Sequence, residues 1–97
     1  MKIDKDYIIE FLKQRKDFLR EKYGITKISL FGSYARGEET EKSDIDFFVE
    51  MSPDFFKRCE LIEYLEQQFN RKVDVVRKHS NIRKRFLEEL EKEAIYV

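Results

Sequence analysis

The sequence predicts a small α/β (α+β) domain, a mixed β-sheet with helices packed on it. Three observations carry that expectation. The runs "TKISLF", "DIDFFVE" and "KVDVV" alternate apolar residues with the period of strands. Segments with apolar residues three and four apart surround them and read as amphipathic helices. The resulting order is helix, strand, strand, helix, strand, helix, which suits a layered domain. A length of 97 residues predicts one domain over 1–97.

Residues 4–23 predict the first helix. Ile8, Phe11, Leu12, Phe18, Leu19 and Tyr23 roughly follow its period, Asp4 or Asp6 can cap its start, and Gly24 suits its stop. Residues 26–31 form the first strand, with Ile28 and Leu30 alternating against polar neighbours. "GSYARG" is a tight connection with a helical turn starting at Ser33, and "GEETEKS" is a polar loop. In the second strand, 44–50, Ile45, Phe47 and Val49 share one face and Asp44, Asp46 and Phe48 the other. Ser52 as cap and Pro53 in the first turn open the next helix. Its expected buried stripe is Phe55, Cys59, Ile62, Leu65 and Phe69, and Asn70 is its stop. Residues 72–76 form the third strand. Ser80 or Asn81 caps a last helix with Ile82, Phe86, Leu87 and Leu90 inward. "AIYV" either ends that helix or adds a short strand.

Twenty basic residues balance twenty acidic ones. Zero net charge speaks against a protein that coats nucleic acid, and direct DNA binding is not expected. One cysteine, Cys59, excludes an internal disulfide and fits a reducing compartment. The N-terminal stretch has no apolar run long enough for a signal peptide or a membrane span, so a cytoplasmic protein with no membrane partner is expected.

The chemistry concentrates in "LFGSYARGEETEKSDIDFFV", residues 30–49. Asp44 and Asp46 project the same way from their strand, roughly 7 Å apart along the chain. Two such carboxylates repel unless a divalent cation sits between them, and Mg²⁺ takes one or two carboxylates together with substrate phosphates. If the third strand lies beside the second, Asp74 joins them. Three carboxylates can hold two ions about 3.5–4 Å apart, an arrangement for in-line phosphoryl transfer. Asp74 is then the general-base candidate. Gly32 lets the backbone approach a phosphate closely. Ser33 offers a hydroxyl and an N–H to an anion, and Arg36 could reach phosphate or substrate.

Gly32-Ser33 followed after ten residues by Asp44-Ile45-Asp46 resembles the signature of the polymerase-β-like nucleotidyltransferase superfamily. The form "GSYARG…SDID" resembles its smallest branch, the minimal nucleotidyltransferases, and Asp74 falls where that family carries its third carboxylate. The resemblance implies the family's small nucleotidyltransferase fold and transfer of a nucleoside monophosphate from a nucleoside triphosphate to a hydroxyl, releasing pyrophosphate. It implies Mg²⁺ on Asp44, Asp46 and Asp74, with ATP as donor held at Gly32, Ser33 and Arg36. Many minimal members pair with a HEPN-type toxin and act as its antitoxin, some by adding AMP to a toxin tyrosine. That partner and acceptor are therefore expected here. A catalytically silent antitoxin that works by binding, and an enzyme acting on RNA ends or a small molecule, are the alternatives.

Other singled-out residues carry plainer expectations. His79 reads as a solvated loop residue, Cys59 as core, and the basic run "RKHSNIRKR" as a solvated helix face. Tyr34 and Tyr96 read as packing or surface residues.

Overall fold

A computed structural model describes residues 2–97. Its elements are α1 (Lys5–Gln14), α2 (Lys16–Tyr23), β1 (Lys27–Phe31), α3 (Gly32–Arg36), β2 (Ile45–Glu50), α4 (Phe55–Phe69), β3 (Val73–Arg77), α5 (Lys84–Glu93) and β4 (Ile95–Tyr96). The four strands form one mixed sheet in the order β3-β2-β1-β4. β1 runs antiparallel to β2 and β4, whereas β2 and β3 run parallel. The C-terminal end of β1 and the starts of β2, β3 and β4 therefore lie at one end of the sheet.

The expected first helix is two. Arg15, at φ −104° and ψ 8°, breaks it between α1 and α2. The break costs little hydrogen bonding, because Arg15 N–H still donates to Phe11 O and Leu19 N–H donates to Arg15 O. Both pieces then face the core, α1 through Ile8 and Leu12, α2 through Leu19 and Tyr23. Asp4 caps α1 by accepting from the Tyr7 amide at 2.9 Å. Gly24 closes α2 in the left-handed conformation that glycine adopts without strain. Phe18, expected inside, is 39% exposed and packs at the rim against Tyr23 and Tyr64.

The register of α4 also corrects the expectation. Its cap is Asp54, whose carboxylate accepts from the Lys57 amide at 3.0 Å, and Ser52 and Pro53 precede the helix. Leu61, Leu65 and Phe69 are its buried residues. Phe55 and Cys59 lie about 120° and 160° around the helix from Leu61 at 3.6 residues per turn, and both are exposed. Cys59 is thus a surface residue and not core. Asn70 ends α4 at φ 52°, as its left-handed tolerance allows.

At the C-terminus, α5 starts later than Ser80 or Asn81 would place it, and its cap, Arg83, makes no side-chain bond. Residues 79–82 instead form a turn in which Ile82 N–H donates to His79 O and Asn81 N–H to His79 Nδ1. Exposed His79 agrees with its loop reading. Leu90 is buried, Ile82 and Leu87 are half-buried, and Phe86 is 40% exposed with its ring edge-on to Phe31. "AIYV" supplies the short strand β4.

One core unites residues of α1, α2, α4 and α3 with Ile28, Leu30, Ile45, Phe47, Val49 and Val73 of the sheet. Tyr34 is buried in it. Phe48 and Ser29 are buried outside that cluster, on the opposite face. The Phe31–Phe86 contact brings α5 to that second face, because Phe31 is in register with Asp46. Among the described residues no helix is long and apolar enough to cross a membrane.

Candidate active site

Sheet pairing explains how distant acidic residues meet. β2 and β3 are parallel and in register, with Asp46 opposite Asp74 and Ile45 opposite Val73. On its other side, Asp46 is opposite Phe31, the last residue of β1. The chain then turns at Gly32, which begins α3. The strand expected beside β2 is there, and it brings Asp74 alongside Asp46. Asp44 lies just before β2 and is exposed, as is Asp74, whereas Asp46 is half-buried.

Gly32 sits directly against Asp46. Its φ is +77°, and a β-carbon added to it would meet Asp46 Oδ2, with Asp46 Cγ only 3.1 Å away. Both the positive φ and the close approach require glycine here. Ser33 follows in the first turn of α3 and is half-buried. Gly37 closes the helix in a left-handed conformation, and its amide donates back to Tyr34 O. The "GSYARG" segment is therefore a one-and-a-half-turn helix with glycine at both ends.

The electrostatics are those of an acid cluster with little compensation. The Asp46 carboxyl is pushed up to about 6, first by burial, then by the negative charges of Asp74, Asp44 and Glu93, while Arg36 pulls it down. A divalent cation would relieve that repulsion. Among the described residues no three His, Cys, Asp or Glu side chains stand close enough to cage a metal unaided. The donor set fits Mg²⁺, which is held by one or two carboxylates and completes its octahedron with substrate phosphates and water. Gly32, which leaves room for Asp46 beside the turn, is compatible with the same fit.

Arg36 and Glu93 complete this end of the sheet. Arg36 Nη1 donates to Glu93 Oε2 at 2.8 Å, and its Nε donates to Glu38 at 3.5 Å. The Gly32 amide donates to Glu93 Oε1 at 3.2 Å. Arg36 thus lies beside the turn, held by carboxylates. Sequence reasoning missed Glu93, which is 61 residues from Gly32. The one local signal was an acidic residue in the last turn of a helix, where the helix dipole disfavours it.

The comparisons with known proteins point to one family. A family model described as "Nucleotidyltransferase domain" matches residues 12–97. A candidate protein adenylyltransferase of Methanocaldococcus jannaschii is 46% identical over 94 residues, covering 93% of this chain and 94% of its own. Protein adenylyltransferase MntA of Thermococcus cleftensis is 39% identical over 92 residues, covering 93% of this chain and 92% of its own. Among solved structures, a candidate minimal nucleotidyltransferase superposes with a TM-score of 0.79 at 26% identity, covering 96% of this chain and 95% of that one. A toxin–antitoxin structure with AMP-PNP superposes with a TM-score of 0.68 at 26% identity, over 97% of this chain and 72% of that one.

Proposed function

The chain belongs to the nucleotidyltransferase domain family, and from that premise we propose that it is a protein adenylyltransferase acting as an antitoxin. It transfers AMP from ATP to a hydroxyl of a protein acceptor, a tyrosine of a HEPN-type toxin. The observation that carries this reading is the in-register pair Asp46 and Asp74 beside Gly32. The names of its relatives, protein adenylyltransferases, support it, as does the nucleotide analogue in the related toxin–antitoxin structure. Residues 1–97 work as one domain, in the cytoplasm, where ATP, Mg²⁺ and the toxin are present together.

Each group in the site has a task. Asp44, Asp46 and Asp74 would hold Mg²⁺, which when bound offsets the triphosphate charge and makes the acceptor hydroxyl more acidic. Gly32, its own amide held by Glu93, lets the turn come close to the phosphates, Ser33 donates its hydroxyl to them, and Arg36 adds a cation. Asp74, exposed at the sheet end, accepts the acceptor's proton. The acceptor oxygen forms a bond to the α-phosphorus of ATP. The bond from that phosphorus to the bridging oxygen breaks, and pyrophosphate leaves. The carboxylates stand at an open end of the sheet, so the bound partner supplies the missing wall and positions the hydroxyl. Such positioning can lower a barrier by several kcal/mol.

Co-expression with a HEPN-type partner followed by intact-mass measurement tests the proposal. AMP increments should appear on the partner with wild type and vanish with Asp46→Asn, and the partner's toxicity should return with that variant. Full protection by Asp46→Asn with no mass increment would show neutralisation by contact alone.

A further inference from the structure

One carboxylate grips both ends of α3. Glu93 Oε1 accepts from the amide of Gly32, the first residue of that helix, and Oε2 accepts from Arg36, its last. Glu93 is itself the final residue of α5. A negative charge there opposes the helix dipole, so local preference does not account for it. Its side chain is only 28% exposed, and it reaches across to another element with both oxygens engaged. Gly32 is thereby held from two sides, by Glu93 on its amide and by the Asp46 carboxylate against its Cα. The Arg36 guanidinium is held likewise, between Glu93 and Glu38.

We propose that Glu93 is a positioning residue of the active site, setting the Gly32 turn and the Arg36 guanidinium for the triphosphate. The inference rests on the nucleotide-binding reading above. Glu93 touches neither the acceptor nor the reacting phosphorus in this role; it acts through Arg36 and the Gly32 backbone. Because α5 leads directly into β4, which pairs with β1 next to the site, the C-terminal segment becomes part of the nucleotide-binding apparatus. An ion pair half open to solvent contributes little to stability. Its consequence should therefore show in ligand affinity more than in melting temperature.

The test is calorimetric binding of AMP-PNP with Mg²⁺, alongside thermal unfolding without nucleotide. The proteins are wild type, Glu93→Gln, Glu93→Ala, Arg36→Gln and the Arg36→Gln/Glu93→Gln double variant. Glu93→Gln keeps an acceptor for the Gly32 amide and loses the charge that holds Arg36. It should weaken AMP-PNP about tenfold, the range expected for a lost charge-assisted bond acting on a bound anion. Its melting temperature should stay near that of the wild type. Glu93→Ala releases Gly32 as well and should bind more weakly than Glu93→Gln. The double variant should bind no worse than Arg36→Gln alone, because Glu93 acts through Arg36. Wild-type affinity in Glu93→Gln, or losses that multiply in the double variant, would overturn the role of Glu93 and leave nucleotide binding standing. No binding by the wild type would instead remove the nucleotide-binding reading and this inference together.

Discussion

Gly32 and Asp46 are packed so that one excludes a side chain on the other's behalf: a β-carbon on Gly32 would lie 3.1 Å from Asp46 Cγ and 3.3 Å from its Cβ, and would collide with Oδ2. The glycine that opens α3 therefore leaves room for the central carboxylate to pack against the turn. Its φ of +77° adds a second, independent demand for glycine.

Gly32→Ala separates these demands. The left-handed backbone alone costs roughly 1–2 kcal/mol for a residue with a β-carbon, and displacement of Asp46 adds to it. Chemical denaturation should show a larger loss in the wild-type background than in Asp46→Ala, where Cγ and both oxygens are gone. An equal loss in both backgrounds would mean that only the backbone conformation matters and that the contact with Asp46 is slack.

The raised Asp46 carboxyl makes stability depend on pH. Its pKa is about 6 in the folded chain, against an ordinary value of 3.8. Between those values the native state holds a proton that the unfolded state has released, so stability falls as pH rises from about 4 through about 6 and then levels. Asp46→Asn removes that titration. Unfolding free energies measured without metal or nucleotide should favour the variant at pH 7, and the gap should narrow toward pH 4. Parallel curves for the two proteins would show that burial and the neighbouring carboxylates do not disfavour the charge.

Ser33 and Asp74 are assigned to opposite sides of the transferred group and should fail differently. Ser33→Ala should lower AMP transfer roughly 10- to 1000-fold, the range for removing one donor to developing charge, while the protein stays folded. Asp74→Asn should lower kcat and leave AMP-PNP affinity less affected, because its task is the acceptor's proton. Steady-state kinetics on the partner, with binding measured separately, resolves the two. A Ser33→Ala enzyme with full turnover would reduce Gly32-Ser33 to a turn.

How much of this could be read from the chain depended on the range of each signal. Strand alternation placed β1, β2 and β3 within a residue or two, since the period of two survives in short runs. The grouping of Gly32, Ser33, Asp44 and Asp46 is local and visible in twenty residues. That Asp74 stands opposite Asp46 required the parallel pairing of β2 with β3, which periodicity suggests but does not specify. Glu93 was missed because its partners lie 57 and 61 residues away, and the one local mark, an acidic residue in the last turn of a helix, does not say what it reaches. The break at Arg15 was hidden by charged residues that suit a continuous helix. In α4, Leu65 and Phe69 are buried as expected, but Phe55 and Cys59 drew the first half of the stripe to the wrong side, where only packing against the sheet distinguishes Leu61 from Phe55.

That register supplies a prediction independent of catalysis. Leu61 is fully buried, whereas Phe55 and Phe56 are 61% and 79% exposed and Cys59 is exposed. Leu61→Ala removes core atoms and leaves a void, which costs about 2–5 kcal/mol. Cys59→Ala and Phe56→Ser change surface residues and should shift stability by about 0.5 kcal/mol or less. The native thiol should also react with a soluble disulfide reagent nearly as fast as it does in urea, since no unfolding is needed to reach it. If Cys59 were protected until the chain unfolds and Leu61→Ala were neutral, α4 would be turned by more than a quarter of a revolution from the orientation described. The Leu61–Leu65–Phe69 stripe would then not be what fastens it to the sheet.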